Sequence, residues 1–95
     1  MAKKAVELDP YNQNNLDTYA WVLYKQKKYS QALKWEQKAL DNGGNKSGVV
    51  VEHYGDILYR LGKHTEALTW WKKALKLKDH SKLLPKKIKT GKLYE

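Results

Sequence analysis

The side chains of this chain that could do chemistry are a few carboxylates and three histidines. Histidines three or four residues apart on a helix can bind a metal ion, but His53, His64 and His80 do not have that spacing. Four carboxylates could form acid–base pairs, yet nothing near them indicates a nucleophile or a tuned proton donor. These carboxylates are Asp17, Glu52, Asp56 and Glu66. The sequence therefore predicts no enzyme activity, no cofactor and no metal.

Other chemical motifs are also missing from the sequence. There is no cysteine, which excludes disulfides and thiolate metal sites. Gly43, Gly44 and Gly48 lie in a polar turn without the Lys-Ser/Thr sequel of a phosphate-binding loop. No signal peptide or membrane-spanning segment is recognisable, and the compartment stays unknown.

The net charge of +9 is concentrated in the last quarter of the chain. Residues 1–71 hold 10 Lys and Arg against 8 Asp and Glu, whereas residues 72–95 hold 9 Lys against 2 acidic residues. Two interpretations stay open: a solvated lysine face, which we favour, or a surface for nucleic acid or an anionic membrane. The residues of this basic patch are Lys72, Lys73, Lys76, Lys82, Lys86, Lys87 and Lys89.

An internal repeat gives these residues a framework. The segment from Tyr29 to Leu40 recurs 35 residues later, from His64 to Leu75. Six of its twelve positions are identical, which indicates stacked units that bury their apolar faces against each other. The identical positions are Ala32, Leu33, Trp35, Lys38, Ala39 and Leu40, with Ala67, Leu68, Trp70, Lys73, Ala74 and Leu75.

A second helical face precedes each copy of the repeat. Leu16, Tyr19, Ala20, Leu23 and Tyr24 have the spacing of one side of a helix. The same pattern returns 35 residues later at Val51, Tyr54, Gly55, Leu58 and Tyr59. Each unit is therefore predicted to be a helix–turn–helix pair.

Helix ends can be proposed from single residues. Ser30, Thr65 and Ser81 are candidate N-caps. Gly62 suits the left-handed position that ends a helix, and Lys27 occupies the equivalent place in the first unit. A last helix should place Leu84 and Ile88 over the open end of the second unit, with Lys82, Lys86, Lys87 and Lys89 facing water.

These alternating small and large residues resemble the tetratricopeptide repeat. The resemblance implies an all-α fold: an α-solenoid of two helix–turn–helix repeats, a C-terminal capping helix and the tail of a preceding repeat helix. The expected parts are the preceding helix end (1–9), repeat 1 (13–44, helices 13–27 and 30–42), repeat 2 (48–79, helices 48–61 and 65–78) and the basic capping helix and tail (81–95). We expect a C-terminal piece of a longer array, whose open N-terminal end could self-associate.

The resemblance also implies a function, a protein–protein interaction scaffold that binds a peptide segment in a concave groove. Asp17 and Glu52 stand where family members that hold a terminal carboxylate need a lysine, so a segment with basic and apolar side chains fits better. Trp21 and Tyr59 could instead only pack between helices, and the repeats could be purely architectural. The groove residues implied by the resemblance are Asn14, Asp17, Thr18, Trp21, Tyr24, Lys25, Glu52, His53, Asp56, Tyr59 and Arg60.

Overall fold

The computed structural model describes residues 13–77 and 79–91, and only the backbone of Gln13 and Asn14. Within these ranges the chain forms helices and no strands. The expected end of a preceding helix, at residues 1–9, lies outside the described part. The α-helices are α1 (Gln13–Lys25), α2 (Tyr29–Asp41), α3 (Gly48–Arg60), α4 (His64–Leu75) and α5 (Leu84–Thr90), with a short 3-10 helix at Gly44–Lys46.

The helices pack in two pairs. α1 packs along α2 and α3 along α4, while α3 joins the pairs by contacting α2 and α1. α5 packs on α4 and buries Leu84 completely, with Ile88 half-buried beside the same core. The protein is therefore an α-solenoid of helical repeats, closed at its carboxyl end by α5. None of the described helices is long and apolar enough to cross a membrane.

Two of the identities between the two copies of the repeat, the tryptophan and the lysine, are explained by packing. In the first unit Tyr19 meets the Trp35 ring edge-on at 5.0 Å, and the Nζ atom of Lys38 lies 4.3 Å from the Trp35 ring centroid. In the second unit Tyr54 meets the Trp70 ring edge-on at 4.6 Å, and the Nζ atom of Lys73 lies 4.1 Å from the Trp70 ring centroid. Such aromatic and cation–π pairs each add about 0.5–1.5 kcal/mol to the burial of the rings.

The three predicted N-caps are wrong. α2 and α4 begin at Tyr29 and His64, so Ser30 and Thr65 lie inside their helices. α5 follows Leu83, which leaves Ser81 outside its start. Among the helices from α2 to α5, only the start of α3 has a side-chain cap: Ser47 accepts a hydrogen bond from the Val50 amide. The Asp79 carboxylate accepts from the Ser47 hydroxyl and the Gly48 amide, and these bonds hold its pKa below the usual range.

α1 and α3, the first helix of each unit, end in the same kind of left-handed turn. Lys27 and Gly62 have φ of 62° and 83°. In each turn two amides donate back into the helix. In the first unit the amides of Lys27 and Lys28 donate to the carbonyls of Tyr24 and Leu23. In the second unit the amides of Gly62 and Lys63 donate to the carbonyls of Tyr59 and Leu58. Lys27 and Gly62 thus both adopt the left-handed conformation expected at the end of the helix, although only Gly62 is a glycine.

The close approach of α3 to α4 depends on Gly55. A Cβ atom at this position would lie 2.6 Å from Cδ1 of Trp71, whose ring is completely buried. In the first unit the equivalent residues are Ala20 and Glu36, also buried. The smaller side chain of Glu36 leaves room for the methyl group that Trp71 excludes in the second unit.

We expect Lys27→Gly to stabilise the protein by about 0.5–1 kcal/mol, because glycine adopts a positive φ without the steric cost that lysine carries. The reverse exchange, Gly62→Lys, should destabilise by a similar amount. Urea denaturation monitored by circular dichroism measures both. A Lys27→Gly variant less stable than the wild type would contradict the left-handed turn.

We expect Gly55→Ala to destabilise the protein by about 1–3 kcal/mol, although alanine favours helices, because the added methyl group meets a buried ring that cannot move. Thermal unfolding measures the loss. The matched control is Ala20→Gly, which removes the equivalent buried methyl group and should cost about 1–2 kcal/mol, through lower helix propensity and the loss of one buried methyl group. Gly55→Ala at wild-type stability would disprove the close contact.

Candidate functional site

A cavity of about 220 Å³ opens on the inner surface, where α1 and α3 face the segment that leads into α5. Its wall is apolar and aromatic on one side and charged on the other. The lining residues are Trp21, Lys25, Glu52, His53, Asp56, Ser81, Leu83 and Lys87. The volume is below the range of roughly 300–1,000 Å³ that sites for small molecules usually have. It suits one inserted side chain better than a cofactor.

The aromatic wall of the cavity is built around Trp21. Its half-buried ring stacks on His53 at 4.2 Å and on Tyr24 at 4.5 Å. The Nζ atom of Lys25 lies 5.1 Å from the ring centroid, within cation–π range. The tryptophan is therefore held in one orientation by both repeats while part of it stays accessible.

The charged wall consists of two carboxylates around one buried ammonium group. Lys87 donates hydrogen bonds to Glu52 at 2.6 Å and to both oxygens of Asp56 at 2.9 and 3.1 Å. Glu52 also accepts from the amide and hydroxyl of Ser81, and Asp56 from the indole of Trp71. All three charged residues are 2–3% exposed. α5 is thus attached to α3 by a buried ion network.

The two carboxyls of this network differ in their proton affinity. Burial tends to raise the pKa of Glu52, but the hydrogen bonds from Lys87 and Ser81 outweigh it and lower the pKa. Burial dominates at Asp56 and raises its pKa to about 6, although Lys87 acts against this. Asp56 therefore depends on Lys87 to remain charged near neutral pH.

A second cluster lies where α1, α2 and α3 meet. His53 Nδ1 lies 2.9 Å from an oxygen of Asp17 and 3.9 Å from an oxygen of Glu36. Glu36 is completely buried, and burial followed by the effect of Asp17 raises its pKa well above the usual range. Burial also tends to raise the pKa of Asp17, but the contacts with His53 and Glu36 lower it.

The side chains of several predicted groove residues are already engaged within the protein. Glu52 and Asp56 are used by α5, as described above, and Tyr24 is buried, with its hydroxyl 3.1 Å from the Nε atom of Arg60. Tyr59 stacks on His64 and Trp71 inside its own unit and is not part of the cavity. The side chain of Asn14 lies outside the described residues.

The remaining predicted groove residues divide into two groups. Trp21, Lys25 and His53 meet at the cavity. Asp17 lies behind them, bonded to His53, whereas Thr18 and Arg60 are exposed away from the cavity lining. The structure thus brings five predicted groove residues together at the cavity and leaves Thr18, Tyr59 and Arg60 outside its lining. The five are Trp21, Lys25, Glu52, His53 and Asp56.

One member of the predicted basic patch is misplaced. Lys87 is buried in the ion network and does not face water. The other members, Lys72, Lys73, Lys76, Lys82, Lys86 and Lys89, are exposed. Of these six lysines, Lys73 has its Nζ atom over the Trp70 ring.

Sequence reasoning missed four residues of these sites: Glu36, Ser81, Leu83 and Lys87. For Lys87 a signal was present, because it lies three residues after Leu84 and one before Ile88, on the face of α5 that packs. For Glu36 the signal was its alignment with Trp71, which implies a buried position. Ser81 and Leu83 lie in a connection, where no periodicity marks the inward side.

The comparisons with known proteins agree with this architecture. The family model described as "Anaphase-promoting complex, cyclosome, subunit 3", a family of tetratricopeptide-type repeats, matches residues 1–74. The chain belongs to this family. No curated protein matches it.

A solved structure supports the fold independently. The chain is similar to the N-terminal domain of stress-induced protein-1 from C. elegans, with a TM-score of 0.77 and 23% identity. The match covers 95% of this chain and 75% of the other. Tetratricopeptide-type repeats are protein–protein interaction modules and typically act as scaffolds without enzyme activity.

We expect Lys87→Met to destabilise the protein by about 3–5 kcal/mol, because it leaves two buried carboxylates without their cation. α5 should detach, and limited proteolysis should cut the chain near residue 81. The matched control is Lys89→Met, an exposed lysine on the same helix, which should change stability by less than about 0.5 kcal/mol.

Neutralising the carboxylates provides a further test of the same network. Adding Glu52→Gln and Asp56→Asn to Lys87→Met should recover part of the lost stability, since no buried charge is then left unpaired. Equal stability of Lys87→Met and Lys89→Met, or no recovery in the triple variant, would contradict the buried ion network.

Proposed function

We propose that the inner surface binds an extended segment of another protein and takes one of its apolar or aromatic side chains into the cavity beside Trp21. The single observation that supports this most is the fixed, partly accessible Trp21 ring in a concave site built by both repeats. Leu83, 38% exposed, provides a second apolar contact on the opposite wall. Aromatic anchors in concave sites contribute a large share of binding free energy at protein interfaces.

The charges of the site define the partner further. The expectation of a basic segment rested on two acidic residues of the predicted groove, Asp17 and Glu52, and Asp56 is a third acidic residue of that groove. Each of these carboxylates already has a positive or hydrogen-bonding neighbour within the protein, His53 for Asp17 and Lys87 for the other two. A basic side chain would have to displace Lys87 and expose a buried charge. The proposed segment is therefore recognised by its apolar side chain rather than by a lysine or an arginine.

The position of α5 adds a condition for binding. Ser81, Leu83 and Lys87 form one wall of the cavity, so the cavity exists only while α5 is docked on α3. Loss of the ion network removes that wall. Segment binding and docking of α5 therefore stabilise each other by linkage.

The experiment is selection from a displayed library of random peptides on the full chain. We expect enrichment of segments with one large apolar or aromatic residue. A selected peptide should bind Trp21→Ala at least about tenfold more weakly, because the stacking surface is lost. Calorimetry with that peptide measures the change, and circular dichroism shows whether helicity is kept.

The matched control is Tyr59→Ala, which removes an aromatic ring from the equivalent helix of the second unit but not from the cavity. The peptide should bind this variant as it binds the wild type. Equal binding by Trp21→Ala, or a library that yields no apolar consensus, would refute the proposal.

A further inference from the structure

The cluster of Asp17, Glu36 and His53 contains a group that the described residues do not satisfy. Glu36 is 0% exposed, and neither of its carboxylate oxygens has a hydrogen-bond partner among the described residues. Buried carboxylates are normally paired with a cation, hydrogen-bonded or bound to a metal ion. A proton shared with Asp17 would satisfy only one of the two oxygens of Glu36.

The three side chains bring one possible ligand atom each close to the other two. One nitrogen of His53 and one oxygen from each carboxylate lie within 4.8 Å of one another, with His53 Nδ1 at 2.9 Å from Asp17 and 3.9 Å from Glu36. Around a tetrahedral ion with bonds of about 2.0–2.2 Å, ligand atoms are separated by roughly 3.4 Å. Shifts of less than about 1 Å in side-chain position would therefore place all three around one ion.

The surroundings of the cluster fit an ion that can enter and be held. The side chains of His53 and Asp17 are 22% and 17% exposed, so the cluster is reached from the solvent. The stacking of Trp21 on the His53 ring fixes the direction of its nitrogens. Each ligand comes from a different helix, so an ion here would join α1 and α2 of the first unit to α3 of the second.

We propose that Asp17, Glu36 and His53 form a binding site for a divalent transition-metal ion of the zinc class, with a water molecule as the fourth ligand. One imidazole and two carboxylates suit zinc, whereas magnesium and calcium take oxygen ligands alone. The site clamps the interface between the repeats and assigns Glu36 a role that its place in a helical core does not explain. The site shares His53 with the wall of the cavity beside Trp21 but does not rest on the proposed function, because its test measures metal binding and not segment binding.

The test uses the full chain, freed of metal by a chelator and titrated with zinc chloride in a calorimeter. We expect one ion per chain and a melting temperature that rises with zinc concentration. Cobalt chloride should give the visible absorption of a tetrahedral site. Glu36→Gln, which keeps the shape of the side chain but removes its charge, should bind zinc at least about tenfold more weakly.

The matched control is His64→Gln, an exposed histidine that stacks on Tyr59 and is not part of the cluster, which should leave zinc affinity unchanged. If Glu36→Gln does not fold, nuclear magnetic resonance of the wild type decides: zinc should shift the ring signals of His53 and not those of His64 or His80. Unchanged affinity of a folded Glu36→Gln, no thermal stabilisation of the wild type, or equal shifts at all three histidines would each overturn the site.

Discussion

Two carboxylates buried on α3 impose the constraint to which the carboxyl-terminal half of the structure responds. Glu52 and Asp56 cannot remain ionised in an apolar interior without strong partners, and α5 supplies one in Lys87. α3 also contains Gly55, which packs against Trp71, and His53, which contacts Asp17. α3 therefore determines how the first repeat, the second repeat and the final helix fit together.

The two repeats have one backbone plan and two different interiors. At the position where the second unit buries Trp71, the first unit buries Glu36. Trp71 requires glycine opposite it and bonds to Asp56, whereas Glu36 tolerates alanine and lies beside Asp17 and His53. The polar interior of the first unit is the feature that distinguishes this chain from a plain stack of helices.

The fold could be predicted because it depends on periodicity. The spacing of Leu16, Ala20 and Leu23, repeated 35 residues later, specifies a helix and the face it buries, whatever the surrounding structure. The candidate site was predictable only in part. Trp21 and His53 follow from the inner position of α1 and α3, but the use of Glu52 and Asp56 by Lys87 does not. That contact joins residues 31 and 35 positions apart, and no local pattern encodes it.

The sequence by itself determined the helices, their pairing in repeats, the left-handed turns at Lys27 and Gly62 and the covering of the open end by Leu84 and Ile88. These depend on local conformational preference and on the period of apolar residues, which a chain carries without its partners. Only the tertiary structure decided the state of each charge. Whether a carboxylate is a binding group, half of an ion pair or a buried acid depends on the donors that distant segments bring to it. Lys87 donates to Asp56, whereas no donor among the described residues bonds to Glu36, and two similar side chains therefore have different roles.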